Sequence, residues 1–249
     1  MEKSKITNQY SIGKLVTLHL LPGALVTLAY FFLADTFHKN GLPSILGFIV
    51  ASILVLFPLE IGLPIYLERR KQPGKHIKDI FLFREKLPHW QTVLLILGTL
   101  LWAGLVFLIG GEVLVNPIRE GLFGWVPDWF DLGYFAVNNQ VFPRNTRIIT
   151  WVLGILFGSI LGPTIEEFYF RSYLLPRMTF LKAWAPLVSA ILMSLYHFWS
   201  PWMFVVRLIA ILPLMYAVWW KRNVYIGIFS HCLLNLIGDS LLAIPLIFG

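Results

Sequence analysis

Three short stretches of the chain put acid–base residues where the surroundings are almost entirely apolar. They are "GPTIEEFYFRSYLLP" (Gly162 to Pro176), "MSLYHFW" (Met193 to Trp199) and "SHCLLN" (Ser230 to Asn235). The first carries adjacent Glu166 and Glu167 with Arg171, the second His197, the third His231 and Asn235. A charge at the centre of a membrane span costs between about 2.5 and 17 kcal/mol, so such residues are paired, line a cavity or carry function. Glu167 and Arg171 are four apart and share a helix face, with the glutamate on the favourable N-terminal side. Glu166 points about 100° away. This spacing predicts that Arg171 neutralises Glu167 while Glu166 faces something else. Pro163 is expected near the start of that helix, with Thr164 capping it and Glu167 three residues on.

Each stretch also has a plain structural reading. The first can be a capping box with an interfacial ion pair, and His197 a packed residue near a helix end. His231 and Asn235, on one side of a helix at i, i+4, can form a polar clamp between helices. Arg207 is expected near the outer end of its span, where it can snorkel. Depth separates the alternatives. Counted from the nearest basic residues flanking the spans, Glu166, His197 and His231 lie about 16, 22 and 14 Å from the cytoplasmic side. One carboxylate and two imidazoles from three spans thus fall in one layer, an acid–base or metal-binding constellation. A glutamate beside an imidazole can act as general base on water, and His or Asn donors can hold an oxyanion. Alternatively Glu166, His197 and His231 can ligate a divalent metal, zinc above all, that activates the water. Both schemes lead to peptide hydrolysis. Cys232 follows His231 directly and points elsewhere, which leaves no Cys/His dyad.

The elements that hold these residues must be membrane helices. The 249 residues are 57% hydrophobic and 13% charged, where soluble domains carry roughly 25% charged residues. Seven apolar segments read as spans: about 15–34, 44–67, 92–116, 148–175, 183–199, 202–220 and 224–248. The fourth looks broken at Gly162-Pro163 and the seventh at Gly238-Asp239 and Pro245; two short helices in place of the seventh would give eight. The fold expected is an all-α polytopic bundle of seven to eight transmembrane helices around an intramembrane cavity, one integral membrane domain over 1–249. The basic loop "ERRKQPGKHIKDIFLFREK" is expected to be cytoplasmic. Alternation then puts the N-terminus inside with Lys3, Lys5 and Lys14, and likewise the loops carrying Arg177, Lys182, Lys221 and Arg222. The segment 117–146 falls outside and reads as interfacial. The net charge of +7 speaks of topology. No basic stripe with interleaved aromatics points to nucleic acid, and no nucleotide partner is expected. A single cysteine excludes an intramolecular disulfide and a CxxC metal site.

"EEFYFR" is an EExxxR motif, "MSLYH" ends in the histidine of an FxxxH motif, and "HCLLN" is an HxxxN motif. In this order on consecutive membrane segments they resemble the CPBP family of intramembrane proteases, which includes CAAX prenyl endopeptidases of the Rce type and bacterial Abi proteins. The resemblance covers about 147–239, the expected catalytic core. It implies about eight membrane helices around a conical cavity, Glu166 as the water-activating carboxylate with His197 beside it, His231 and Asn235 as the oxyanion hole, and Glu167 with Arg171 as the supporting pair. Met193 departs from the pattern, standing where the family has phenylalanine; as an adaptable apolar filler it changes pocket packing, not chemistry. The family has been described both as metalloproteases and as metal-independent glutamate proteases. Asparagine is a poor zinc ligand, which favours the metal-free form. No HExxH or GxSG occurs, and "LIGD" lacks the first glycine of an aspartyl GxGD.

The expected function is therefore an intramembrane endopeptidase of the CPBP type in the lipid bilayer of a bacterial plasma membrane. Its substrate would be a membrane-embedded, lipidated or hydrophobic peptide, and its role peptide maturation or bacteriocin self-immunity. The competing reading is a transporter or a non-catalytic binding scaffold that uses the same polar cluster.

Overall fold

The computed structural model describes residues 9–248, so Lys3 and Lys5 lie outside it. Apolar runs without a charge cannot leave their backbone unpaired in lipid, so they coil into helices. Seven helices dominate: α1 Ile12–Lys39, α2 Ser44–Lys71, α3 His89–Phe123, α4 144–174, α5 Ala185–Tyr196, α6 Phe204–Lys221 and α7 Val224–Phe248. Local signals set their ends. Ser11 accepts from the Lys14 amide at the start of α1. Asn223 Oδ1 accepts from the Tyr225 and Ile226 amides and so caps α7. Arg222, with φ of 51°, makes the sharp left-handed turn between α6 and α7.

Among the described residues, six helical stretches are long and apolar enough to cross a membrane; the longest, Arg144–Tyr196, runs from α4 into α5. A 3-10 segment at Leu175–Trp184, with Lys182 at φ of 52°, separates the two and reverses the chain. The fourth and fifth expected spans are thus distinct helices. α5 has 12 residues, about 18 Å. That is short of the ~30 Å hydrocarbon core, so its C-terminus, where His197 sits, stops inside the membrane.

Two expected breaks do not occur. Gly162-Pro163 does not interrupt α4: π-helical turns over Gly154–Leu161 and Glu167–Leu174 flank an α-helical Gly162–Glu166. The wider turns absorb the proline's missing N–H without ending the helix. Thr164 does not cap it, because its hydroxyl donates back to Ile160 O at 2.6 Å. α7 likewise runs unbroken through Gly238, Asp239 and Pro245, so the described residues form seven helices of this kind, not eight.

The segments expected on one side do share one end. Tyr10 N donates to Arg177 O at 3.3 Å, Leu82 N to Ser172 O at 2.9 Å, and Arg222 pairs with Glu85 at 3.2 Å. At the other end the 124–143 connection packs down on the bundle. Phe130 O accepts from Tyr30, Trp129 O accepts from Ser44, and the Arg119 guanidinium lies 4.8 Å from the Trp202 ring. Burial is uneven. α3 exposes Leu97, Leu101 and Leu108, the pattern of a lipid-facing helix, whereas Tyr169, Phe170, Tyr173 and Leu174 of α4 are fully buried. The lower half of α4 is the axis of the bundle, and the acidic motif lies on it.

Candidate active site

Glu167 is fully buried, and the Arg171 guanidinium one turn on donates to its Oε1, the pair that the i, i+4 spacing predicts. The same oxygen also receives His231 Nδ1 from α7 at 3.0 Å. This second bond is not visible in the spacing. It ties His231 to the supporting glutamate and fixes which ring nitrogen faces away. The approach of α7 to α4 depends on Gly227, one turn before His231: a Cβ there would stand 2.0 Å from Glu167 Oε2. Small residues at such crossings let membrane helices come close.

Glu166 is 8% exposed. Among the described residues none hydrogen-bonds to its carboxylate, yet Glu60, Glu167, Arg171, Arg207 and His231 all interact with it electrostatically. His197 terminates α5 with its Nδ1 2.8 Å from Met193 O. A carbonyl can only accept, so Nδ1 carries the proton and a neutral His197 offers its Nε2 lone pair. The residue at the first position of the FxxxH motif thus orients His197 through its backbone, which accounts for the tolerance of Met193. His197 also interacts electrostatically with Arg207 and His231. The α5 terminus is seated against α1 at Gly23, where a Cβ would stand 1.9 Å from Tyr196 O.

Asn235 lies one turn beyond His231, and its Nδ2 donates to Gly158 O at 3.2 Å. One amide hydrogen therefore clamps α7 to α4. Cys232 Sγ faces Ile160 O and Thr164 and makes no pair with His231. Glu166, His197 and His231 form one electrostatic neighbourhood, yet no group of three or more His, Cys, Asp or Glu among the described residues is arranged to hold a metal ion.

Arg207 corrects its sequence reading. It does not snorkel at the outer end. It is buried, donating to Ser200 Oγ at 2.8 Å and Ser194 O at 3.5 Å, and its charge faces Glu166 and His197. The turn at 197–203 packs against the end of α3, where Arg119 and Phe123 meet Trp202, and against Phe48 of α2 at Trp199, so an arginine early in α6 is already deep. Glu60 and Tyr196 were not singled out in the sequence. Glu60 is fully buried in α2 and its Oε1 accepts from Tyr196 at 2.8 Å. Its signal was available: it is the one charged residue in the apolar run 44–67.

No curated protein and no solved structure matches the chain. Residues 148–237 match the family model described as type II CAAX prenyl endopeptidase Rce1-like. The matched segment holds the EExxxR, His197 and HxxxN residues together with Arg207. The described residues are those of a multi-pass helical membrane protein, and its segment 148–237 resembles the type II CAAX prenyl endopeptidases of the Rce1-like family.

Proposed function

We propose that the protein is an intramembrane endopeptidase that hydrolyses a peptide bond near the end of a membrane-embedded or lipidated peptide, with Glu166 as general base. The observation that carries this reading is the contrast between the two adjacent glutamates. Glu167 is engaged by Arg171 and His231, whereas Glu166 is buried without a protein hydrogen bond and shares its electrostatic partners His231 and Arg207 with His197. A water between Glu166 and His197 Nε2 would meet two acceptors. Both of its hydrogens are then directed inward and a lone pair is turned towards a substrate carbonyl. Glu166 takes one proton as the water oxygen attacks the carbonyl carbon, and returns it to the departing amine as the C–N bond breaks. His231, held by Glu167 at Nδ1, donates to the tetrahedral oxyanion from Nε2 when doubly protonated, and the second amide hydrogen of Asn235 completes the hole. Arg207 supplies the positive charge that lets Glu166 remain a carboxylate away from water.

The reading routes no step through a metal, because no three His, Cys, Asp or Glu among the described residues are grouped to hold one; the Nδ1 contacts of His197 and His231 leave each Nε2 free. The basic end of the bundle is taken as cytoplasmic, in a bacterial plasma membrane. Peptide maturation and bacteriocin self-immunity both fit such an enzyme.

Comparative membrane peptidomics of cells carrying wild type or Glu166→Gln tests the reading. Peptides whose C-terminal fragments appear only with wild type are expected. Identical peptidomes, with a phenotype still lost in the mutant, would replace the protease with a binding scaffold.

A further inference from the structure

Glu60 has no role in the chemistry above, and its surroundings ask for one. It lies in "FPLEIGLP" between two prolines, where α2 widens into a π-turn over Pro58–Gly62. Such turns mark functional sites more often than chance, because the extra residue re-aims a side chain. Here the turn aims Glu60 inward, against residues 162–166 of α4. Its exposure is 0%, Oε1 accepts from the Tyr196 hydroxyl at 2.8 Å, and Oε2 has no partner. The titratable groups that face it are Glu166, Tyr196 and Tyr169, with no cation among them.

Hydrogen-bond accounting then constrains its form. A bare carboxylate oxygen buried without a donor or counter-charge is among the costlier arrangements in a protein. The neutral acid removes that cost, since a hydroxyl on Oε2 becomes a donor that can reach an acceptor in the cavity. The α4 side chain that bears on Glu60 electrostatically, and the acceptor we take for this proton, is the carboxylate of Glu166. Tyr196 adds the mechanical link. It immediately precedes His197, its ring meets the imidazole edge-to-face at 4.9 Å, and its backbone carbonyl abuts Gly23.

We infer that Glu60 is a positioning residue of the site: a neutral carboxylic acid that donates from Oε2 toward Glu166 and, through Tyr196, holds α2 in register with His197. Two carboxyl groups from two helices thereby share one proton, leaving the negative charge on Glu166. The catalytic consequence rests on the hydrolytic reading of Glu166; the hydrogen-bonded pair itself does not.

Infrared difference spectroscopy of the full-length protein in lipid bilayers tests it without any substrate. A protonated carboxylic acid has a carbonyl stretch apart from those of carboxylates and amides. Wild type at neutral pH is expected to show this band. Glu60→Gln, which preserves shape and the Tyr196 acceptor, should abolish it. Tyr196→Phe should shift it by removing the bond to Oε1, and Glu166→Gln should keep it but move its frequency. Absence of the band in wild type overturns the assignment, as does its survival in Glu60→Gln. Its loss in Glu166→Gln with retention in Glu60→Gln would put the proton on Glu166 and reverse the roles. A band that behaves as expected in a protein that cleaves nothing would sink the protease reading and leave the pair standing.

Discussion

Two buried acid–base clusters in this bundle use the same residue types to opposite ends. At the basic end, Glu68 is 1% exposed and both its oxygens are satisfied. Oε1 meets Arg177 at 3.2 Å and Tyr10 at 3.4 Å, and Oε2 meets Lys75 at 2.6 Å. Tyr10 and Tyr173 close the network at 2.6 Å, and Arg177 lies 3.9 Å from the Tyr173 ring centre. In mid-bundle, Glu166 has no hydrogen-bonded protein partner among the described residues, and Glu60 Oε2, Glu167 Oε2 and Ser194 Oγ are likewise unpaired. The first network leaves Arg177 Nε over but satisfies its carboxylate in full and so rigidifies the fold, whereas buried acids left incomplete call for another explanation, such as a water or a substrate that completes them. The first cluster ties the N-terminal segment, α2 and the α4–α5 turn together. The second holds its capacity in reserve.

That contrast can be broken by substitution. Glu166→Gln should have the largest effect on turnover, a loss of about 10²–10⁴-fold with an unchanged melting profile, read as cleavage rate and thermal unfolding of the same preparation. If it melted early instead, Glu166 would belong with Glu68 as a structural group. Glu68→Ala should do the reverse. Leaving Arg177 and Lys75 without their carboxylate costs about 3–5 kcal/mol, seen as a lower unfolding temperature, while the fraction still folded cleaves normally. Gly227→Ala should fall between the two. The new methyl group would crowd Glu167 Oε2, costing about 1–3 kcal/mol in stability, and it would also lower turnover by moving His231. The smallest effect on stability is expected for Asn235→Ala, about 1 kcal/mol for the single bond to Gly158. A turnover loss much larger than that stability loss would assign its second amide hydrogen to the oxyanion; a matching loss would leave it as a clamp.

Much of the site was legible before any coordinates. Glu167 with Arg171 follows from i, i+4 spacing, and the divergence of Glu166 from adjacency on a helix. That the three motifs meet is seen in the contact of His231 with Glu167 and the charge of Arg207 on both Glu166 and His197. What failed, failed for definable reasons. The proline in "GPTIEEF" reads as a helix start because the local rule for proline is strict, but π-turns on either side let the helix pass through. Arg207 reads as peripheral because depth was counted along an ideal span, whereas the 197–203 turn is drawn into the bundle against the end of α3. Glu60 escaped because a lone acid in an apolar run has no motif; its partners come from α4 and α5, more than a hundred residues on.

The sequence by itself determined that this is a polytopic helical membrane protein with its chemistry in the second half of the chain. Hydropathy and side-chain period are local properties, and no packing is needed to read them. Only the tertiary structure decided that His231 answers to Glu167, that Met193 orients His197 through its carbonyl, and that Glu60 and Arg207 flank Glu166. These depend on where Gly23 and Gly227 make room for a neighbouring helix and where a π-turn rotates a side chain inward. Spacing along one helix carries no record of either.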